Sequence, residues 1–234
     1  MDGAGAHPGG GIAPAGTSRD LLGWVLPFAT AIVILVVAVL NLTTPVWMHF
    51  ALDNSGSSLG PTREWNYRVS DQTVDQLVFG PGDFQHIYAC FSTCVGNPPV
   101  YEYAEQAHLR DARTLLWLGI VLAVISAVLI AAALIHHPRD ARRWRAVARG
   151  GLGLAVGAVV VGVVGAFAFE PLFVLFHEVF FPGGNWEFPA DSNMIRLYPY
   201  PFWQLTAAGL GVLCVIGGGV VWWLAPRRAA RLAQ

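Results

Sequence analysis

Three ionisable side chains recur at helical spacing in the string Glu105-x-x-His108-x-x-Asp111. Residues three apart share a helix face, so this run sets an imidazole between two carboxylates. A carboxylate partner fixes the tautomer of a histidine and raises its basicity. The same pattern arises on a solvated charged face at a helix start, and the spacing alone leaves both readings open. A second group, Glu170, His177 and Glu178, interrupts an apolar, Phe-rich run. Ionisable residues inside such a run are costly and mark functional positions, although a histidine at a membrane surface can also keep a wet tip. Pro171 can break the helix locally. If the helix continues, Glu170 and His177, seven apart, lie on one face. Neither histidine has a good nucleophile near it in sequence, and no S-x-x-K motif is present, so an acyl-enzyme is not signalled. Two histidines can still run acid–base chemistry on a substrate that brings its own nucleophile. Such chemistry needs no cofactor.

The elements that must position these side chains are membrane helices. The 234 residues are 55% hydrophobic and 12% charged, against about 25% charged in a soluble domain. The net charge of −1 provides no basic field for nucleic acid. Four stretches, about 21–42, 115–135, 151–169 and 203–225, reach the roughly 20 apolar residues that a bilayer crossing needs. The first is longer than a signal-peptide core and has no clean cleavage site after it, so it reads as a retained anchor. The expected fold class is all-α: a polytopic membrane protein with four transmembrane helices and an extracytoplasmic cap formed by the first long loop. Arg19, the five arginines of the 136–150 linker and Arg227, Arg228 and Arg231 in the tail place these segments, and both termini, in the cytoplasm. Residues 43–114 and 178–202 then lie outside. The expected division is a disordered tail over 1–20, the four-span domain over 21–226, and a second tail over 227–234. In the cap, 70–79 is expected to be helical, with Ser70 and Asp71 as candidate caps. Residues 101–113 should join span two as one helix rising out of the membrane. Gly153 and Gly157 form a small-xxx-small pair suited to close helix packing.

At these residues the sequence resembles a known family. Glu105-x-x-His108-Leu109-x-Asp111 resembles the E-x-x-H-[FL]-x-[DE] motif before the second span of the lipoprotein intramolecular transacylase family. Phe176-His177-Glu178-Val179-Phe180-Phe181, then Trp186-Glu187-Phe188 and Ile195-Arg196-Leu197-Tyr198-Pro199, resembles the family's second motif. The resemblance implies a bacterial cytoplasmic-membrane enzyme with its active site on the outer face. Its substrate would be a diacylated lipoprotein, met in the membrane lipid. It would move the sn-2 acyl chain from glycerol oxygen to the α-amine of the N-terminal cysteine, with His108 and His177 in the catalytic positions. His108 is assigned as base because Glu105 and Asp111 would support its imidazolium. His177 then serves the ester side. Glu105, Asp111, Glu170, Glu178, Trp186 and Arg196 are supporting candidates.

Other readings compete. Cys90 and Cys94 form an outer pair that a disulfide could close, and four-span thiol oxidoreductases use such pairs. Those enzymes relay electrons through a second pair, and only Cys214, within span four, remains. Glu105-x-x-His108 has a di-metal ligand spacing, but the motif is not repeated on another helix, so no metal is expected. A non-enzymatic scaffold would need no histidine pair at one depth.

Overall fold

The computed structural model describes residues 17–88 and 98–232. Every regular element among them is helical: α1 (Thr17–Leu42), α2 (Pro45–Asp53), α3 (Arg63–Val78), a 3-10 turn at Phe84–His86, α4 (Tyr103–His136), α5 (Ala141–Phe180), α6 (Asn193–Leu197) and α7 (Tyr200–Leu232). Four of these, α1, α4, α5 and α7, contain spans long and apolar enough to cross a bilayer. The chain is a multi-pass membrane protein with the expected all-α architecture.

The helices run further than the apolar stretches that announced them. Residues 17–20, expected in the disordered tail, belong to α1. Most of the basic 136–150 linker forms the first turns of α5, and the chain turns over residues 137–140 alone. The expected tail is helical as far as Leu232. Hydropathy marks where the bilayer ends, whereas a helix ends only where a breaker or a cap stops it, and arginine is a good helix former. The α4–α5 turn is held by Asp140, which accepts from the Arg142 N–H and pairs with Arg143 at 3.3 Å. Arg143 also donates to the Ala133 carbonyl at the end of α4.

α1 is the hub of the bundle, packed against α4, α5 and α7, and α5 and α7 run against each other over the longest contact. α4 and α5 barely touch, although they are consecutive. The tightest approach is between glycines. A Cβ on Gly218 would stand 2.3 Å from the Gly151 carbonyl oxygen, so only glycine fits this crossing. Gly153 and Gly157, the expected packing pair, face open space. Spacing identifies small residues but not which side of the helix meets a neighbour.

The cap is built on α2 and α3. Pro45 starts α2 in the first-turn position that proline favours. α3 starts at Arg63, where the Thr62 hydroxyl accepts from the Trp65 N–H. The start expected at Ser70 and Asp71 is therefore wrong: both sit inside α3. Ser70 is buried and receives the Tyr198 hydroxyl, while Asp71 pairs with His49 at 2.9 Å. Polar residues read as caps are here committed to tertiary partners. Met48, Leu52, Val69, Phe84, Tyr101 and Leu197 belong to a core joining the cap to one end of the long helices. Burial pushes the Tyr198 phenol up to about 12, so it stays a neutral donor. Arg113 on α4 donates to the Gln76 and Leu77 carbonyls at the end of α3, partnering groups a helix end leaves unpaired. The expected single helix from the loop into span two is observed as α4.

Candidate active site

α4 carries His108 seven residues above Leu115, about 10 Å along the axis. α5 carries His177 one turn before its end at Phe180. Within α5, Ala168 departs from helical geometry (φ −139°, ψ 45°). This is three residues before Pro171, whose ring opposes the carbonyl one turn back and whose missing N–H leaves that carbonyl unpaired. The helix continues past the kink, so its last turns, with His177, are re-aimed rather than lost.

The two imidazoles meet. Their ring centroids lie 5.9 Å apart and their planes differ by 26°. The connection after α5 folds over them. Phe181 contacts both rings, at 4.6 Å from His108 and 5.6 Å from His177. Trp186 lies 4.8 Å from His177, and Phe188 5.8 Å from His108. Phe173 packs on His177 at 4.2 Å. The result is a histidine pair in an aromatic box, with His177 buried.

The orientation of each ring follows from its partners. His177 Nδ1 lies 2.7 Å from the Phe173 carbonyl oxygen. A carbonyl only accepts, so Nδ1 carries the proton there and Nε2 is left to react. His108 Nδ1 is buried and has no hydrogen-bond partner, so its accessible chemistry also belongs to Nε2. Two Nε2 atoms, one on each side of a cleft, can remove a proton from one group and deliver a proton to another.

The supporting candidates divide. Trp186 packs against His177 with its ring tilted by 35°. Asp111 accepts from the Asn185 amide at 2.6 Å, and Asn185 in turn contacts the His108 side chain. Glu105 does not support His108. Its carboxylate is 2% exposed and accepts the Met194 N–H at 2.7 Å and the Glu102 N–H at 2.8 Å. It closes a capping box on α4 and latches α6 to it. Arg196 is likewise a latch, donating to the Ser58 and Leu59 carbonyls rather than joining the histidines. Glu170 and Glu178 are exposed, and Glu170 lies about 10 Å along α5 from His177. Cys90 and Cys94 lie outside the described residues. Cys214 is free and buried in α7. The string Gly56-Ser57-Ser58-Leu59-Gly60 fits the spacing of a nucleophile elbow, but it forms the α2–α3 connection, where the Ser58 N–H donates to the Arg196 carbonyl. It lacks the strand-to-helix turn that such an elbow needs. Sequence reasoning missed Asn185, which sits after two glycines and reads as a turn residue.

Residues 97–203 match the family model of the lipoprotein intramolecular transacylase Lit. The resemblance drawn from the two histidine motifs holds, and the matched segment contains both. An uncharacterized protein of Aquifex aeolicus (strain VF5) is 26% identical over 118 residues, which cover 50% of this chain and 52% of that protein. The chain thus matches about half the length of this curated relative. Among solved structures, the membrane-integral lipoprotein intramolecular transacylase Lit of Bacillus cereus superposes with a TM-score of 0.75 at 17% identity, over 93% of this chain and 98% of that one. A form of the Bacillus cereus protein with a histidine replaced by alanine gives a TM-score of 0.66 at 17% identity, over 93% and 96% of the two chains. The fold is shared with Lit over 93% of this chain.

Proposed function

We propose that this chain is a membrane acyltransferase. It moves the sn-2 acyl chain of a diacylglyceryl-modified lipoprotein onto the α-amine of that lipoprotein's N-terminal cysteine. The observation that carries the reading is the pairing of the two motif histidines, ring to ring at 5.9 Å, inside an aromatic box at one end of the bundle. The family match over residues 97–203 supports the substrate class.

The amine has a pKa of about 8 and is partly neutral near pH 7. His108 removes a proton from it on Nε2 as the nitrogen attacks the ester carbonyl. The C–N bond forms and the carbonyl electron pair moves to oxygen. Collapse breaks the C–O bond to glycerol, and protonated His177 delivers its Nε2 proton to the departing oxygen. One proton has then passed from amine to glycerol, and the histidines are reset by proton return from His108 to His177. The Phe173 carbonyl and the Trp186 ring at 4.8 Å support the His177 cation. Amine and ester belong to one molecule, so holding them in a near-attack pose supplies much of the rate. No acyl-enzyme forms. The arginines at the α4–α5 turn and at the end of α7 support a reading in which those ends and both termini are cytoplasmic and the histidines face outward.

The test is expression in a bacterium that makes diacylated lipoproteins, followed by mass spectrometry of one lipoprotein N-terminus. The reading expects an acyl chain on the amine at unchanged total lipid mass. A lipoprotein that stays diacylglyceryl-modified with a free amine overturns it.

A further inference from the structure

We infer that Asn185 is a positioning residue: its side-chain oxygen accepts a hydrogen bond from His108 Nδ1–H, and its amide group anchors the pair to Asp111. Among the described residues, His108 Nδ1 and Asn185 Oδ1 are the two buried side-chain polar atoms without a partner. One belongs to a ring that donates from that nitrogen in one tautomer. The other can only accept. The two side chains are in contact. Asn185 Nδ2 is already committed to Asp111 Oδ2 at 2.6 Å. A carboxylate only accepts, so the amide must present its NH2 to Asp111 and its oxygen elsewhere. Buried polar atoms are almost always paired. A small rotation of the ring or the amide pairs these two with each other and satisfies both.

The consequence is a fixed tautomer. Neutral His108 carries its proton on Nδ1 and keeps the Nε2 lone pair for the cleft. Asp111 does not touch the imidazole. It holds the amide that does. A carboxylate in direct contact would favour the protonated ring, whereas an amide between them sets direction without placing a charge on the base. The charged or titratable groups around this ring are Asp111 from α4 and His177 from α5, while Phe181 and Phe188 from the connection are neutral. Why Nε2 must be free rests on the transacylase reading. The tautomer itself does not.

The experiment therefore reads both. Full-length protein with ¹⁵N-labelled histidine is compared by NMR at high pH, with His108 assigned by its loss in His108→Ala. The variants are Asn185→Leu, Asn185→Ala and the exchange Asp111→Asn/Asn185→Asp, which keeps the net charge and an acceptor facing His108 Nδ1 but moves the ionised group to position 185, so that residue 111 becomes the donor between them. Turnover is followed on a synthetic diacylglyceryl-cysteine lipopeptide. Wild-type His108 is expected in the Nδ1–H form. Asn185→Leu and Asn185→Ala lose that preference, and kcat falls about tenfold or more with KM little changed. The exchange restores the tautomer and moves the acid limb of the pH–rate profile to higher pH, which a purely structural role would not do. His108 keeping the Nδ1–H form in both single variants overturns the proposal. Asn185→Ala decides the matter if Asn185→Leu does not fold. Wild-type protein that shows the Nδ1–H tautomer but transfers no acyl chain would sink the transacylase reading and leave the role of Asn185 standing.

Discussion

Replacing Glu105 by Gln changes one oxygen to an NH2 group on a side chain that is 2% exposed. Both carboxylate oxygens accept backbone N–H groups, from Met194 and from Glu102. A glutamine has one acceptor, so one backbone donor must face another donor. A buried donor stranded in this way costs about 1–3 kcal/mol, and the amide facing it adds to that when neither reaches water. The lower end applies if the mismatch falls at Glu102, where the bond is only partly buried. For a chain of this size about 1 kcal/mol corresponds to roughly 2–4 °C in melting temperature. Glu105→Gln should therefore lower the thermal midpoint by about 2–12 °C, read by tryptophan fluorescence in one detergent at fixed protein concentration. Its initial rate at 20 °C, where both proteins remain folded, should stay within about twofold of wild type, because the side chain does not touch His108. An unchanged midpoint with a rate lowered more than about tenfold would refute the argument and return Glu105 to the catalytic pair.

Three further outcomes follow from the same geometry. Trp186→Ala removes the ring packed against His177, worth about 0.5–1.5 kcal/mol, and should lower kcat about two- to twelvefold in a steady-state assay while His177 stays in place. The rate should be bell-shaped in pH, with a rising limb set by loss of protons from His108 and the amine and a falling limb set by deprotonation of His177. The residual rate of His177→Ala should lack the falling limb. Gly218→Leu drives a Cβ to 2.3 Å from the Gly151 carbonyl oxygen and should lower the thermal midpoint well below that of Gly153→Leu, whose Cβ meets open space.

The long helices were legible because four uncharged runs of about 20 residues have few other uses. The histidine pair was legible for a local reason: each motif sits on a helix that continues from a span, so depth could be counted along the chain. What failed was everything decided across the chain. Glu105 and Asp111 look equivalent around His108, yet Glu105 is taken by Met194, 89 positions later, and Asp111 by Asn185. Ser70 looked like a cap until Tyr198 claimed it. Arg196 lies in the second motif but serves the α2–α3 connection. Gly153 and Gly157 have the right spacing on the wrong side of α5, while Gly151, two residues earlier, makes the contact. α2 was missed because its nine residues follow α1 after a two-residue break, and Pro45, which starts it, also reads as the end of the preceding helix.

The central claim is that His108 and His177 together perform a direct oxygen-to-nitrogen transfer. The most direct measurement uses purified wild type, His108→Ala and His177→Ala on a synthetic diacylglyceryl-cysteine lipopeptide, with the product read by tandem mass spectrometry. Wild type should yield a lipopeptide of unchanged mass with one acyl chain on the amine. Each variant, with a thermal midpoint near that of wild type, should be slower by about a hundredfold or more. A folded variant that retains transfer within a few-fold of wild type would contradict the two-histidine mechanism.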